Sequence, residues 1–298
     1  EDEVFTGNED VKGCLFFGLG SDGTVGANKN SIKIIGDKTD LYAQGYFAYD
    51  SKKSGGVTRS HLRFSKKPIR STYLVKKPNF VACSVPAYLG KYDMISGLRE
   101  GGIFLLNTIW DKEKLLKYVP NEIKRELARK KAKFYLINAT EIAKEIGLGN
   151  RTNTIMQSAF FYLSEVIPHD EAKEYMKEYA EKSYGRKGQD IVQKNWDAID
   201  RGIDGLEEVE VLPEWADLEV NEQIIEAAKP EFIKKIADPI NLMKGNELPV
   251  SSIIENGMVD GSFQHGTAHY EKRGIADEVP EWQPDTRIAC HPWSYVLP

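Results

Sequence analysis

A glycine-rich turn near the amino terminus is the segment best suited to hold a charged ligand. Residues 18–23 read Gly-Leu-Gly-Ser-Asp-Gly, a GxGxxG pattern between an apolar, strand-like run and a predicted helix. Glycines permit a tight turn whose backbone N–H groups approach a phosphate, and the helix amino terminus adds about half a positive charge. The alternative is a tight strand-to-helix turn that binds nothing. The residues expected to meet an anion are Gly18, Leu19, Gly20, Ser21 and Asp22.

A second loop carries two lysines and two glycines directly after the next predicted strand. In a parallel sheet the carboxyl ends of the first two strands would lie side by side. We therefore expect Lys52 and Lys53 to face the same crevice as the glycine turn. Ammonium groups bind phosphate through charge-assisted hydrogen bonds. Alone, the lysine pair is more typical of solvated surface, but the two loops together predict a pocket for several phosphates.

A third candidate is the segment 147–153, which reads Gly-Leu-Gly-Asn-Arg-Thr-Asn before another predicted helix. Thr152 or Asn153 suits the helix N-cap, and Arg151 can reach an anion. The capping role alone would explain most of this segment.

A dinucleotide site is the usual interpretation of a glycine turn, and it requires an acidic residue about 20 positions further on to hold a ribose hydroxyl. Asp40 is near that distance but precedes the second strand. Asp50 ends that strand but lies further along the chain. The fit to NAD is therefore imperfect.

Apolar runs alternate with amphipathic segments over the first two hundred residues, which predicts an α/β fold whose mostly parallel sheet is covered by helices on both faces. The predicted strands are 13–17, 41–49, 61–64, 80–85, 103–109 and 134–137. The predicted helices are 24–35, 92–98, 113–131 with a break at Pro120, 139–146, 154–166, 170–183 and 188–202.

The chain changes character at about Leu206, after which prolines recur and strands no longer alternate with helices. Extended chain of this kind cannot form its own core and is typical of linkers that lie over other domains. We expect a domain over residues 1–205, a linker over 206–260 and a further segment over 261–298.

Composition restricts the class of protein. The 298 residues carry a formal charge of −5 with bases and acids interspersed, and no apolar run reaches the ~18 residues of a membrane span. These features predict neither nucleic-acid nor membrane binding. Three widely spaced cysteines are typical of a reducing cytosol, so we expect a cytoplasmic protein. The first residues, Glu1-Asp2-Glu3, lack a starting Met and a secretory signal, which indicates an excised piece.

Three stretches resemble one known family, the pyruvate:ferredoxin (flavodoxin) oxidoreductases. They are residues 18–36 (GLGSDGTVGANKNSIKIIG), residues 42–64 (YAQGYFAYDSKKSGGVTRSHLRF) and the triplet Glu271-Lys272-Arg273. The resemblance covers nearly the whole chain. It implies an enzyme that converts pyruvate and coenzyme A to acetyl-CoA and CO2, with thiamine diphosphate as cofactor and electrons passing through [4Fe-4S] clusters to ferredoxin or flavodoxin.

Within that family the chain resembles the third, Rossmann-like domain, which matches the gamma subunit of multi-subunit relatives and is associated with coenzyme A. The resemblance implies that residues 18–22, with Asp50, Lys52 and Lys53, meet the nucleotide end of coenzyme A. Asn150 or Arg151, and more weakly Asn195, would close over it. The resemblance implies that no residue of this chain is catalytic and that the chain alone is inactive. It also implies that thiamine diphosphate is bound by other domains of the same enzyme, that those domains are the partners of this one, and that the parent enzyme is a homodimer.

The carboxyl terminus departs from the family pattern. Where four cysteines would ligate a [4Fe-4S] cluster, only Cys290 is present, and Arg287, Trp293 and Leu297 stand at the other three places. We therefore expect no cluster in this chain. His265 and His269 stand four apart, but nearby glycines make a helical metal site unfavourable, so we expect no metal there.

Two other functional classes stay open from the sequence. A stand-alone NAD(P)-dependent enzyme would use the same glycine turn, although no Tyr-x-x-x-Lys or paired His/Asp constellation accompanies it. A purely structural module would clasp neighbouring domains through its linker.

Overall fold

The computed structural model describes residues 10–50, 55–220 and 229–271. Seven strands, numbered in chain order, are β1 (Lys12–Leu19), β2 (Tyr42–Tyr49), β3 (Val57–Ser65), β4 (Phe80–Cys83), β5 (Ile103–Asn107), β6 (Lys133–Ile137) and β7 (Glu207–Val209). The helices of the same region are α1 (Thr24–Lys38), α2 (Lys112–Tyr118), α3 (Asn121–Arg129), α4 (Ala139–Glu145), α5 (Asn153–Ser164), α6 (His169–Tyr184) and α7 (Gln189–Asp200).

The strands form one sheet in the order β2-β3-β1-β4-β5-β6-β7. Strands β1, β4, β5 and β6 are mutually parallel neighbours. β3 runs antiparallel to both β1 and β2, and β7 runs antiparallel to β6. β2 therefore points the same way as β1, so five of the seven strands share one direction. The predicted mostly parallel sheet is confirmed, but the prediction that the first two strands are neighbours is wrong because β3 lies between them.

Alternate side chains of the buried strands face two separate cores, as a period of two requires. From β1, Cys14 and Phe16 enter a cluster that includes residues of α1, α5, α6 and α7. Leu15 and Phe17 enter a second cluster with residues of α2 and α3. Helices thus cover both faces of the sheet, as predicted.

The predicted break at Pro120 is present. α2 ends at Tyr118 and α3 begins at Asn121, immediately after the proline. Proline fixes φ and lacks an N–H donor, so it ends one helix and readily starts the next. At the other end of α2, the Asp111 carboxylate caps the helix by accepting a hydrogen bond of 2.8 Å from Lys114 N.

The helix predicted over residues 92–98 is wrong, because this segment consists of turns. Asp93 Oδ1 accepts a hydrogen bond of 3.0 Å from Ser96 N, and such a side-chain acceptor competes with helical pairing. A side chain at Gly97 would place its Cβ 2.2 Å from Lys76 O, so the backbones are in close contact. The short strand β7 also differs from the predicted elements and extends the sheet beyond residue 205.

Residues 229–271 form short helical segments and turns with no regular strand, in keeping with the predicted irregular arm. They comprise a π-helical turn (Ile233–Ala237), α8 (Asp238–Asn241), α9 (Val250–Glu255) and two 3-10 turns. Phe232, Ile233 and Ile236 pack into a small cluster of their own. Met243 packs against the second core of the sheet, so the arm contacts the α/β domain.

Candidate functional site

The glycine turn is closed by the side chain of Asp22. Asp22 Oδ2 accepts hydrogen bonds from Leu19 N and Thr24 Oγ1, both at 2.8 Å, and its Oδ1 accepts one from Thr24 N at 2.7 Å. Asp22 N in turn donates to Leu19 O at 3.0 Å. A single carboxylate therefore joins the end of β1 to the first residue of α1.

Two glycines of this turn are required by their surroundings. A Cβ at the buried Gly18 would lie 2.7 Å from Thr24 Cβ and 2.8 Å from Thr58 Oγ1. Gly23 has φ of 88°, in the left-handed region that disfavours a side chain, and a Cβ there would lie 2.9 Å from Asn153 Cγ. The glycines thus allow α1 to begin in close contact with β3 and with the start of α5.

The Asp22 carboxylate lies at the turn where a bound anion would be expected. It engages the amides of Leu19 and Thr24, which a phosphate at a strand-to-helix turn would otherwise use. The positive end of the α1 dipole favours a negative charge at this position. A ligand phosphate near the turn therefore needs further donors.

The β2–β3 hairpin brings the second predicted loop beside the glycine turn. Leu19 pairs with Val57, and Gly20 N donates to Gly56 O at 2.7 Å. Asp50 N donates to Val57 O at 3.1 Å, so Asp50 stands at the base of the same hairpin. Lys52 and Lys53 lie outside the described residues.

The proximity of these two loops has a different cause from the one predicted. It arises from antiparallel pairing through β3 and not from the parallel adjacency of the first two strands. The same arrangement does not favour a dinucleotide site, which uses a carboxylate at the end of the parallel strand beside β1. Here the strand in that position is β3, and Asp50 instead leads into the hairpin.

The third predicted loop also approaches the glycine turn, through Asn153. This residue is the first of α5, and its side chain lies against Gly23. Asn150 and Arg151 are exposed on the preceding loop, where Arg151 N donates to Leu148 O at 3.4 Å.

Asn195 has a structural environment. It is only 5% exposed, and its Nδ2 donates to Ile191 O at 2.8 Å within α7. Its Oδ1 accepts a hydrogen bond of 3.3 Å from Thr154 Oγ1. The side-chain nitrogen is therefore engaged within α7, and the side-chain oxygen links α7 to α5.

Two residues that border the turn, Ser84 and Tyr88, were not predicted from the sequence. Ser84, directly after β4, has its Oγ 3.2 Å from Thr24 Oγ1. Tyr88 OH donates to Gly18 O at 3.4 Å. The connection leaving β1 enters α1, which packs in the first core, whereas Tyr88 after β4 packs in the second core, on the other face of the sheet. The crevice beside such strand ends is the usual ligand position in α/β sheets. A serine that follows a buried strand was the available sequence signal.

The protonation states near the turn argue against nucleophilic chemistry. Burial raises the pKa of the Cys83 thiol to about 12, so it stays protonated at neutral pH. Burial, reinforced by Tyr92 and more weakly by Cys83, Asp22 and Asp50, raises the pKa of Tyr88. These groups can donate hydrogen bonds but do not supply a ready base or nucleophile.

Neither a metal-ligand cluster nor a membrane-spanning helix is found in residues 10–50, 55–220 and 229–271. No group of three or more His, Cys, Asp or Glu in these ranges is arranged to hold a metal ion. No helix among the same residues combines the length and apolarity needed to cross a bilayer. The tail residues Lys272, Arg273, Arg287, Cys290, Trp293 and Leu297 lie outside the described part of the chain.

Comparison with protein families gives two matches. The family model described as pyruvate ferredoxin/flavodoxin oxidoreductase matches residues 13–205. A second model, EKR, described as a domain of unknown function, matches residues 219–276. The first match covers the whole sheet except Lys12, the first residue of β1, and all of β7.

Curated relatives align over almost the whole chain. The pyruvate:ferredoxin oxidoreductase of Moorella thermoacetica is 54% identical over 285 residues, which are 96% of this chain and 24% of that protein. The pyruvate-flavodoxin oxidoreductase of Klebsiella pneumoniae is 48% identical over 98% of this chain and 25% of its own length. The chain therefore spans about a quarter of the relatives it matches.

Solved structures share the fold. A pyruvate oxidoreductase subunit, PORC, of Thermotoga maritima superimposes with a TM-score of 0.55 at 21% identity, covering 68% of this chain and 100% of that subunit. A 2-oxoglutarate:ferredoxin oxidoreductase of Magnetococcus marinus, solved with 2-oxoglutarate, coenzyme A and succinyl-CoA bound, gives a TM-score of 0.50 at 16% identity, covering 75% of this chain and 34% of that one.

Proposed function

Because this chain belongs to the pyruvate ferredoxin/flavodoxin oxidoreductase family, we propose that it is the coenzyme A-binding and assembly domain of such an enzyme. The reaction would convert pyruvate, coenzyme A and an oxidised ferredoxin or flavodoxin to acetyl-CoA, CO2 and the reduced carrier. The observation that carries the proposal is 54% identity over 96% of the chain with a pyruvate:ferredoxin oxidoreductase.

The assignment of coenzyme A is supported by the crevice beside the carboxyl end of β1. The glycine turn and the base of the β2–β3 hairpin are hydrogen-bonded there, and the start of α5 packs against the turn. A structure with the same fold, that of the Magnetococcus enzyme, contains coenzyme A. Lysine ammonium groups suit the pyrophosphate and 3′-phosphate of this substrate. We propose Gly18, Leu19, Gly20, Ser21, Asp50, Lys52, Lys53, Asn150 and Arg151 as its contacts. Asp22 would order the turn, and Asn195 would link α7 to α5 behind these residues.

The chemical roles of these residues would be binding and orientation. Asp22 would keep the turn in shape, and the hairpin lysines would neutralise phosphate charge, so that the thiol end of coenzyme A extends towards the other domains. No residue of the chain is proposed to make or break a covalent bond. The chain alone would therefore show no turnover with pyruvate.

The residues of this chain do not suit the iron–sulfur clusters that the family resemblance implies. A [4Fe-4S] cluster needs four thiolates, and the chain has three cysteines. Cys14 and Cys83 are buried in different cores on opposite faces of the sheet. In a protein as long as the relatives, the remaining three quarters would hold the clusters and thiamine diphosphate. That part would also provide the contacts with ferredoxin or flavodoxin and the dimer interface.

Calorimetric titration with coenzyme A tests the proposal. The wild-type chain should release binding heat, and a Lys52→Ala/Lys53→Ala variant should bind about tenfold more weakly or worse, because charge-assisted contacts to phosphate are lost. A Lys130→Ala/Lys131→Ala variant is the matched control, since that pair lies between the end of α3 and the amino end of β6, at the opposite end of the parallel strands. Equal heats from the wild type and the hairpin variant would remove the lysines from the site.

A further inference from the structure

Arg59 is a partly buried cation close to the glycine turn, and it is not among the proposed contacts of coenzyme A. It is the third residue of β3 and pairs with Phe17 of β1 and Ala48 of β2. The pair Leu19–Val57 lies two residues nearer the carboxyl end of β1, which is about 7 Å along the strand. An extended arginine side chain can span that distance.

The guanidinium of Arg59 has one buried N–H donor, at Nε, without a partner. No ion pair joins Arg59 to a carboxylate in residues 10–50, 55–220 and 229–271. Burial lowers the pKa of Arg59, opposed by the hydroxyls of Tyr46 and Tyr92. An unsatisfied buried donor costs free energy, and a charged one costs more. Such a group calls for an anionic acceptor.

Arg63 provides an internal comparison on the same strand. It lies four residues further along β3 and therefore on the same face of the sheet. Its Nη1 donates to Gln44 Oε1 at 2.9 Å, and its guanidinium lies 5.1 Å from the ring centre of Tyr73. Arg63 thus has partners of its own, which distinguishes it from Arg59.

Tyr92 and Tyr88 connect the surroundings of Arg59 to the glycine turn. Tyr92, which interacts electrostatically with Arg59, packs edge-to-face on Tyr88 with ring centres 5.1 Å apart. Tyr88 in turn donates a hydrogen bond to Gly18 O. Burial raises the pKa values of both tyrosines, and Asp50 adds to the rise. Within residues 10–50, 55–220 and 229–271, no carboxylate acts on Arg59 in this way. Arg59 therefore borders the crevice on the face of the sheet that carries Tyr88 and Tyr92.

We propose that Arg59 binds a phosphate group of coenzyme A at this edge of the crevice, an inference that rests on the proposed function. A guanidinium presents a planar set of N–H donors that matches a phosphate. The need for such a donor follows from Asp22, which already engages the amides of Leu19 and Thr24. Arg59 would supply the charge that the turn itself does not offer.

The test is calorimetry of the chain with coenzyme A, 3′-dephospho-coenzyme A and pantetheine, using Arg59→Gln, Arg59→Lys and the control Arg63→Gln. Arg59→Gln should weaken coenzyme A binding about tenfold to a hundredfold, the usual value of a hydrogen bond to a charged group. Arg59→Lys should recover part of the loss, and Arg63→Gln should bind like the wild type. Circular dichroism checks that each variant is folded.

The ligand series identifies the phosphate. If the effect of Arg59→Gln disappears with 3′-dephospho-coenzyme A, Arg59 binds the 3′-phosphate. If the effect persists there but disappears with pantetheine, it binds the pyrophosphate. Wild-type affinity in Arg59→Gln would overturn the inference and leave the proposed function intact.

Thermal melts with inorganic pyrophosphate separate the two proposals if coenzyme A does not bind. Stabilisation of the wild type but not of Arg59→Gln would retain Arg59 as a phosphate site and refute the choice of coenzyme A. Stabilisation of neither protein would overturn both.

Discussion

Replacing Asp22 by alanine should destabilise the domain and, in the same variant, strengthen phosphate binding. The substitution removes three hydrogen bonds to a carboxylate, those from Leu19 N, Thr24 N and Thr24 Oγ1. Hydrogen bonds to charged groups contribute about 1.5–3 kcal/mol each when buried. Because Asp22 is half-exposed and water can replace part of this set, we expect a total loss of about 2 kcal/mol.

Urea denaturation followed by far-ultraviolet circular dichroism measures this loss as a lower midpoint at unchanged slope. Asp111→Ala is the matched control, since Asp111 accepts one backbone hydrogen bond, from Lys114 N, at an exposed helix start. Its loss should be about 1 kcal/mol, the usual value for a helix cap. If Asp22→Ala cost less than Asp111→Ala, the carboxylate would not hold the turn together.

The affinity measurement separates two accounts of the turn. If Asp22 already lies where a phosphate would, the alanine variant frees two amides and removes a like charge, so coenzyme A should bind about fivefold more tightly, or ~1 kcal/mol. If the carboxylate instead orders a turn that contacts the ligand directly, binding should weaken along with stability. Weaker binding by Asp22→Ala in a folded protein would therefore refute the view of Asp22 as an internal anion.

Two further predictions concern buried groups. Burial, with smaller effects of Arg59 and Arg63, lowers the pKa of His61 to about 4, so at pH 5 the unfolded chain binds a proton that the folded chain excludes. The free energy of unfolding should therefore fall by about 2 kcal/mol from pH 7 to pH 5 in urea titrations. A His61→Gln variant that kept this pH dependence would contradict the assignment to His61. Burial raises the pKa of the Cys14 and Cys83 thiols to about 12. In a Cys290→Ser variant, which leaves only these two thiols, a thiol reagent at pH 8 should modify both only after urea is added. Rapid labelling of the folded protein would instead show an accessible thiolate.

Most elements of the fold follow from apolar periodicity and from proline and glycine positions. The run 13–17 alternates between two buried faces and became β1, and Pro120 divides two helices as its chemistry requires. The strand order could not be obtained in this way. Yet only seven residues, 50–56, separate β2 from β3. A parallel crossover needs at least about ten residues, so the length of the connection alone favoured a hairpin.

The backbone conformation of the candidate site was predictable from the sequence, but the hydrogen-bond partners of its side chains were not. A GxGxxG turn between a strand and a helix has few conformations, and it forms here as expected. Asp22 could have been read as an Asx turn, because its Oδ1 accepts from the amide two residues on. The structural role of Asn195 could not be predicted, because its hydrogen bond with Thr154 depends on contact between α5 and α7, and the two residues are distant in the sequence.

The arrangement implies a division of roles between the turn and its neighbours. A turn whose amides are satisfied by its own carboxylate keeps its shape without a ligand, so it contributes preorganisation more than charge. Charge must then come from side chains on the adjoining hairpin and strand. Because Arg59 is partly buried, salt should screen its contact with phosphate less than it screens exposed ammonium groups. The affinity of this site would therefore depend on the side chains of β3 as well as on the glycine turn.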